Sequence, residues 1–143
     1  MQLDAFIDAI TELTPRLCRA ILAREQDCLS CDRVTIQEIW ALEIIGYQEP
    51  CPRALLLKQL RLKPSTGSVF LRRLESSGLI RRFHPKGNRR NVDISLTARG
   101  RRAIEQARRH RRSALRLLFE PLPEKDRASY LAMLEALTVQ FSP

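Results

Sequence analysis

The chain has 143 residues, of which 44 % are hydrophobic and five are glycine, so it suits one folded domain and excludes long disordered stretches. No apolar run reaches the roughly 18 residues of a membrane span, and the start lacks a signal peptide's basic residues, so a cytoplasmic protein with reduced cysteines is expected. The 25 lysines and arginines outnumber the 16 acids, and the net charge of +9 favours an anionic partner.

The first helix is predicted by apolar residues that recur at helical spacing over residues 3–21. Pro15 lies inside this stripe, and because proline removes a backbone donor, the helix is expected to bend or restart there. The polar residues 27–32 then indicate a loop.

Thr35 and Glu38 mark the start of a second helix, because a threonine followed three residues later by a glutamate is the capping-box pattern. This helix is expected to end near Gly46. Its predicted buried side chains are Ile36, Ile39, Trp40 and Ile44.

A helix-turn-helix is predicted next, from two short helices joined by residues 61–63. Pro52 begins the first helix, whose apolar side is formed by leucines. Pro64 begins the second, which runs to Ser77 and stops at Gly78, since glycine readily adopts the left-handed conformation that ends helices. The leucines of the first helix are Leu55, Leu56 and Leu60.

A wing follows the helix-turn-helix. It is predicted by a strand at residues 79–84, a turn at residues 85–88 and alternating apolar and polar residues at 92–96. Thr97 then caps a long helix that is rich in arginine.

A last helix is predicted after Pro121 and Pro123. The first and last helices carry apolar stripes outside the winged module, so they are expected to join two copies of the chain. The alternative is that they cover the core of their own monomer. The sequence thus predicts a mainly α domain with a small β wing. Its parts are dimerisation helices at 1–30 and 117–143, a winged helix-turn-helix at 34–97 and a linking helix at 97–120.

Positive charge is concentrated in the middle of the chain. Residues 53–90 contain eleven lysines and arginines and one acid, and residues 97–116 contain eight arginines and one acid. Residues 1–52 are acidic, with nine acids and four basic residues. This asymmetry favours an anionic polymer as the partner of the middle of the chain, against the alternative of a basic surface that is merely solvated.

Four segments carry a family resemblance in combination: Leu62–Thr66 (LKPST), Leu74–Arg82 (LESSGLIRR), Arg89–Arg90 and Leu96–Gly100 (LTARG). Over Leu60–Gly100 the chain resembles the MarR family of bacterial winged-helix regulators. The resemblance implies a homodimer held by the terminal helices, with the second helix of the helix-turn-helix in the major groove of DNA and the wing in the minor groove. It also implies that a small molecule or an oxidant changes the affinity for DNA.

Two positions depart from the family's pattern. The family usually has an Asp two residues before the wing arginine, here Arg90, whereas this chain has Asn88. Asn88 is expected to bond the guanidinium without charge and so to hold it less firmly. Gly67 stands where the family has a branched apolar residue, and a glycine inside a helix costs about 1 kcal/mol relative to alanine. The sequence offers no reason for this glycine.

The second helix of the helix-turn-helix, called the recognition helix below, is expected to bury Phe70, Leu71 and Leu74 and to turn its polar side to DNA. Hydroxyls in its first turns suit phosphates and base edges. Val69 suits either a thymine methyl group or a partly buried position, and wing arginines suit a narrow minor groove. The candidate DNA-binding residues are Ser65, Thr66, Ser68, Val69, Arg72, Arg73, Lys86, Arg89 and Arg90.

Cys28 and Cys31 have the C-x-x-C spacing of a metal or dithiol site. The signal is weak, because no second pair follows and both histidines are distant in sequence. No cofactor and no metal are therefore expected, and these two cysteines are kept as candidate ligands. The neighbouring acids Asp27 and Asp32 favour a divalent metal over a fast reaction with peroxide.

The expected function is that of a sequence-specific transcriptional regulator that binds an inverted repeat in duplex DNA as a homodimer. A repressor is expected, with an affinity for DNA that responds to a small molecule or a stress signal. The alternative is a winged-helix module that binds RNA or protein partners without reading sequence. An enzyme is not expected, because the sequence has no glycine-rich phosphate loop and no nucleophile motif near His84 or His110.

Overall fold

The structure, a computed structural model, describes the backbone of residues 1–29 and 34–140 and the side chains of residues 1–24 and 34–139. These residues form a mainly helical domain with a small antiparallel sheet. In chain order the elements are α1 (Leu3–Leu29), α2 (Ile36–Tyr47), β1 (Cys51–Pro52), α3 (Arg53–Gln59), α4 (Pro64–Ser76), β2 (Ile80–Phe83), β3 (Asp93–Leu96), α5 (Ala98–Phe119) and α6 (Glu124–Gln140).

Helix α1 is longer than predicted. It continues through Pro15 without a restart, and it extends to Leu29, so the loop predicted from residue 27 is wrong for residues 27–29. One proline removes one hydrogen bond, and the same apolar stripe continues on both sides of it. Residues 30–32 of that predicted loop lie outside the described residues. Half-buried side chains of α1 lie in its second half, whereas the side chains of residues 3–16 are exposed.

Helix α2 starts at the predicted capping box, which is confirmed. The Glu38 amide donates to Thr35 Oγ1 (3.2 Å), and the Thr35 amide donates to Glu38 Oε2 (2.7 Å). The prediction that Trp40 is buried is wrong, since its side chain is 45 % exposed. Trp40 points to the opposite side of the helix from the buried face of α2. That face includes Glu38, Ala41, Leu42 and Ile45.

The helix-turn-helix is confirmed as α3, a tight connection and α4. In the connection Arg61 has a positive φ of 54°, and the Leu62 amide donates to the Leu57 carbonyl (2.9 Å). The predicted stop after α4 is also confirmed, because Gly78 has a φ of +72°. Leu71 and Leu74 on the inner side of α4 are fully buried, as predicted.

The wing is formed by β2 and β3, which pair antiparallel from Ile80 opposite Leu96 to Phe83 opposite Asp93. A short strand that the sequence did not predict, β1, pairs with the other edge of β3. Because β3 is central, Ser95 is buried together with its apolar neighbours, and the predicted alternation of buried and exposed residues is wrong at this position.

The core lies where α2, α3, α4 and the sheet meet, and α5 closes it with Ile104 and Ala107. The largest fully buried side chains are Ile39, Leu42, Ile45, Cys51, Leu56, Leu71, Leu74 and Ile94. Thr97 caps α5 as predicted, since its Oγ1 accepts from the Gly100 amide (3.0 Å). None of the helices in the described ranges is long and apolar enough to cross a membrane.

The last helix contacts the end of α5 through two aromatic rings. The centroids of Phe119 and Tyr130 lie 5.1 Å apart at an interplanar angle of 35°. Apart from the half-buried Tyr130, the described side chains of α6 are exposed. Within the described part of one protomer, the large apolar side chains of this helix therefore remain 40–77 % exposed.

Candidate nucleic-acid interface

The outer face of α4 is the first part of the candidate interface. Ser65, Thr66, Val69 and Arg72 are all exposed, and the Val69 side chain is 64 % exposed. The Lys63 side chain makes no capping hydrogen bond at the start of the helix, and Pro64 occupies its first turn. The positive end of the α4 dipole is therefore not capped by this side chain.

Ser68 lies on the same helix but is half-buried, and its hydroxyl is bonded within the protein. Its Oγ donates to the Pro64 carbonyl (2.9 Å) and accepts from Arg53 Nη2 (2.8 Å). Arg53 Nη2 also donates to the Pro64 carbonyl (3.2 Å). The sequence reasoning did not single out Arg53, and its spacing of 15 residues from Ser68 gives no local signal for the contact.

Arg73 has a structural partner on α2. Its Nε lies 2.9 Å from Glu38 Oε1, and the Glu38 side chain is only 4 % exposed. The other oxygen of this carboxylate accepts from the Thr35 amide. Arg73 therefore joins the recognition helix to the start of α2, whereas its neighbour Arg72 is exposed with no carboxylate partner in the described residues.

The wing tip is held by side-chain bonds to its own backbone. Asn88 Oδ1 accepts from the amides of Arg90 (3.0 Å) and Asn91 (3.3 Å). This corrects the expectation that Asn88 bonds a guanidinium, because a short side chain reaches the amides two and three residues ahead first. Across the wing, His84 Nδ1 lies 2.8 Å from the Asn91 carbonyl oxygen.

Lys86, Arg89 and Arg90 are exposed on this wing, and within the described ranges none of them has a carboxylate partner. The base of the wing is joined to α4 by Arg82, whose Nε donates to Glu75 Oε2 (2.8 Å). The hydrogen bond from Arg82 lowers the pKa of Glu75 from its ordinary value of 4.5. Glu75 thus stays ionised at neutral pH and fixes the wing against the recognition helix.

The acids near α2 pair with arginines on its inner side. Glu43 Oε1 lies 3.0 Å from Arg111 Nη1, and Glu49 Oε2 lies 2.6 Å from Arg101 Nη2, both on α5. Together with the Glu38–Arg73 pair, these contacts neutralise the carboxylates of α2 and of the segment after it. The basic groups on the outer face of α4 and on the wing are left as an uncompensated positive surface.

The two cysteines whose side chains are described do not form part of this surface. Cys51 is fully buried, and burial followed by the charge of Asp93 raises the pKa of its thiol above 9.0, which makes it unreactive. Cys18 is exposed on α1. Cys28 and Cys31 lie outside the residues whose side chains are described. In the part that is described, no group of three or more His, Cys, Asp and Glu side chains could hold a metal ion.

Comparison with known proteins agrees with this geometry. The model of the MarR family matches residues 34–92, from the end of the predicted loop to the wing. An uncharacterised HTH-type transcriptional regulator of Bacillus subtilis, YwhA, is 33 % identical over 96 residues, which are 67 % of this chain and 69 % of YwhA. The chain belongs to the MarR family of winged helix-turn-helix transcriptional regulators.

Solved MarR-like structures share the fold along the whole chain. A MarR family protein from Bacillus stearothermophilus superposes with a TM-score of 0.89 at 19 % identity, and the match covers 100 % of both chains. The transcriptional repressor CouR, bound to a 23-mer DNA duplex, superposes with a TM-score of 0.76 at 18 % identity over 96 % of this chain and 98 % of CouR. The MarR fold therefore includes α1, α5 and α6 as well as the winged module.

Proposed function

We propose that this protein is a cytoplasmic homodimer that binds an inverted repeat in duplex DNA and represses transcription. The observation that carries the proposal is the outer face of α4, where hydroxyls, an apolar side chain and an arginine are exposed beside a basic wing. Such a mixture suits the edges of bases and the phosphates of a major groove. The shared fold with CouR, a repressor bound to a DNA duplex, supports the same function.

Each exposed group has a proposed role in that complex. Ser65 and Thr66 bond phosphates or base edges, Val69 contacts a thymine methyl group and Arg72 contacts a guanine or a phosphate. In the wing, Arg89 and Arg90 enter the minor groove and Lys86 contacts a phosphate. We propose that Ser68 and Arg73 support this surface indirectly, since both already bond other elements.

The homodimer is supported by apolar side chains that one protomer leaves exposed. In the first half of α1 and in α6 they amount to a surface that a monomer in water rarely presents. They are Leu3, Phe6, Ile7, Ile10, Leu13, Leu131, Met133, Leu134, Leu137 and Val139. A second copy that covers them would give two recognition helices related by a two-fold axis, which fits an inverted repeat. The repressor role and a response to a small molecule or stress signal rest on the family resemblance.

Selection of bound DNA from a random duplex pool tests the proposal. We expect an inverted repeat whose half-sites lie about one helical turn apart. If roughly six phosphates are neutralised per dimer, the logarithm of the affinity should fall with the logarithm of the salt concentration with a slope of about −5. No enriched duplex, or equal affinity for RNA or single strands, would instead favour a module that binds without reading sequence.

A further inference from the structure

Arg53 lies where the three parts of the winged module meet. Its backbone amide donates to the carbonyl of Val92, which directly precedes β3 in the wing (2.9 Å). Its side chain reaches the first turn of α4, where Nη2 bonds Ser68 Oγ (2.8 Å) and the Pro64 carbonyl (3.2 Å). The guanidinium is therefore held at the start of the recognition helix, while the backbone of the same residue is bonded to the wing.

The partners of this guanidinium are all neutral. No carboxylate pairs with Arg53 in the described part of the chain, and the acid of α2 that contacts α4 and the acid of α4 itself both pair with other arginines. Glu38 pairs with Arg73, and Glu75 pairs with Arg82. A cation is thus held beside the positive end of a helix, next to Lys63, without the counter-charge that such a position usually has.

We propose that Arg53 binds a phosphate of the DNA backbone and that Ser68 acts through Arg53 by holding its guanidinium in place. The inference rests on the proposed DNA binding and assigns to it a residue outside the recognition helix and the wing tip. Nη2 is occupied by Ser68 and Pro64, so the donors on Nε and Nη1 are those available to phosphate oxygens. A phosphate supplies the missing negative charge and carries no sequence information.

The test uses the full-length protein and the duplex selected from the random pool, in which one phosphate at a time is replaced by an uncharged methylphosphonate. For the wild type we expect one position in each half-site near the start of α4 where this replacement weakens binding roughly tenfold. For Arg53→Gln the same replacement should weaken binding less than about twofold, while the effects at all other positions and the selected base sequence stay unchanged.

Two further variants define the outcome. Lys125→Gln, on the side of α6 away from Leu134 and Leu137, also removes one charge and should keep the wild-type profile at every phosphate. Ser68→Ala keeps the charge of Arg53 but removes its hydroxyl partner, so the effect at the same phosphate should fall to roughly threefold even if Arg53→Gln does not fold. If both Arg53→Gln and Ser68→Ala keep the wild-type profile, the role of Arg53 is overturned but the proposed DNA binding is not. If the wild type selects no duplex, both the proposed function and the role of Arg53 are overturned.

Discussion

Gly67 allows α3 and α4 to pack more closely than any larger residue would permit. A Cβ atom at this position would lie 2.4 Å from Leu57 Cδ2 and 3.1 Å from Leu57 Cγ. Leu57 is itself buried in the core, so its side chain has little room to move away. The close approach of the two helices is the reason for the glycine that the sequence alone left unexplained.

Gly67→Ala should therefore destabilise the protein. In the interior of an ordinary helix, replacing glycine by alanine raises the free energy of unfolding by about 1 kcal/mol. Here the clash with Leu57 should instead lower it by about 1–3 kcal/mol. Denaturant unfolding measures the difference. In a Leu57→Ala background, which removes the clashing atoms, the same substitution should have no cost. A stabilising Gly67→Ala in the wild-type background would contradict the packing argument.

Arg90 and Val69 should affect DNA binding in different ways. Arg90→Ala is expected to weaken binding to most sites, and most strongly to those with A·T-rich flanks, because a narrow minor groove attracts arginine.

Val69→Ala is expected to change which base is preferred at one position of each half-site, by about 1–3 kcal/mol. Selection experiments with both variants measure this. Identical selected sequences for the wild type and Val69→Ala would show that α4 presents another face to DNA.

Between elements, one carboxylate joins α2 to the recognition helix. Glu38 closes the capping box of α2 with one oxygen and pairs with Arg73 of α4 with the other. Because the Glu38 side chain is buried, its hydrogen bonds are protected from water and position the two helices relative to each other. This contact adds to the packing of Leu71 and Leu74, which holds α4 on the core.

Glu38→Ala should lower the free energy of unfolding by about 1–3 kcal/mol, since both the cap and the charged hydrogen bond are lost. Glu38→Gln keeps the acceptor for the Thr35 amide and should cost less. If DNA binding depends on the position of α4, affinity for the selected duplex should fall in the order wild type, Glu38→Gln, Glu38→Ala. Equal stability of the three proteins in thermal unfolding would show that this contact does not hold the helices.

Local signals in the sequence predicted the ends of these elements well. The caps at Thr35 and Thr97 and the stop at Gly78 depend on residues three or four positions apart, and all three are confirmed. Long-range packing was not predictable in the same way. The exposure of Trp40 depends on which face of α2 meets the core, and the engagement of Ser68 depends on Arg53, which belongs to another helix.

The short strand β1 shows a second limit of sequence patterns. Its two residues are too few to show any period, and Cys51 is recruited only because β3 offers a free edge. The wing arginines were candidates from the predicted strand, turn and strand pattern and from the family resemblance, whereas the hydrogen bonds that shape the wing tip at Asn88 required the structure. The sequence thus indicated which residues are candidates for contacting DNA. It did not indicate which hydrogen bonds within the protein hold those residues in place.

At the scale of the whole molecule, the charges are arranged in two layers. The partly or fully buried carboxylates of α2 and of the segment after it pair with arginines of α4 and α5. The outer face of α4 and the wing keep their positive charge. A dimer would double this surface, so affinity for DNA should depend on assembly as well as on each protomer's contacts.

The last prediction concerns that assembly. Leu134 and Leu137 are 40 % and 52 % exposed on one side of α6 in a single protomer. Replacing both by Asp should prevent a second copy from covering this side, because two buried carboxylates without partners are costly. Sedimentation at micromolar concentration should then detect monomers. The double variant should also bind the selected inverted repeat more weakly than the wild type does. Ala132→Asp places a charge on the opposite side of α6 and should leave both properties unchanged. A wild-type protein that sediments as a monomer would contradict the homodimer.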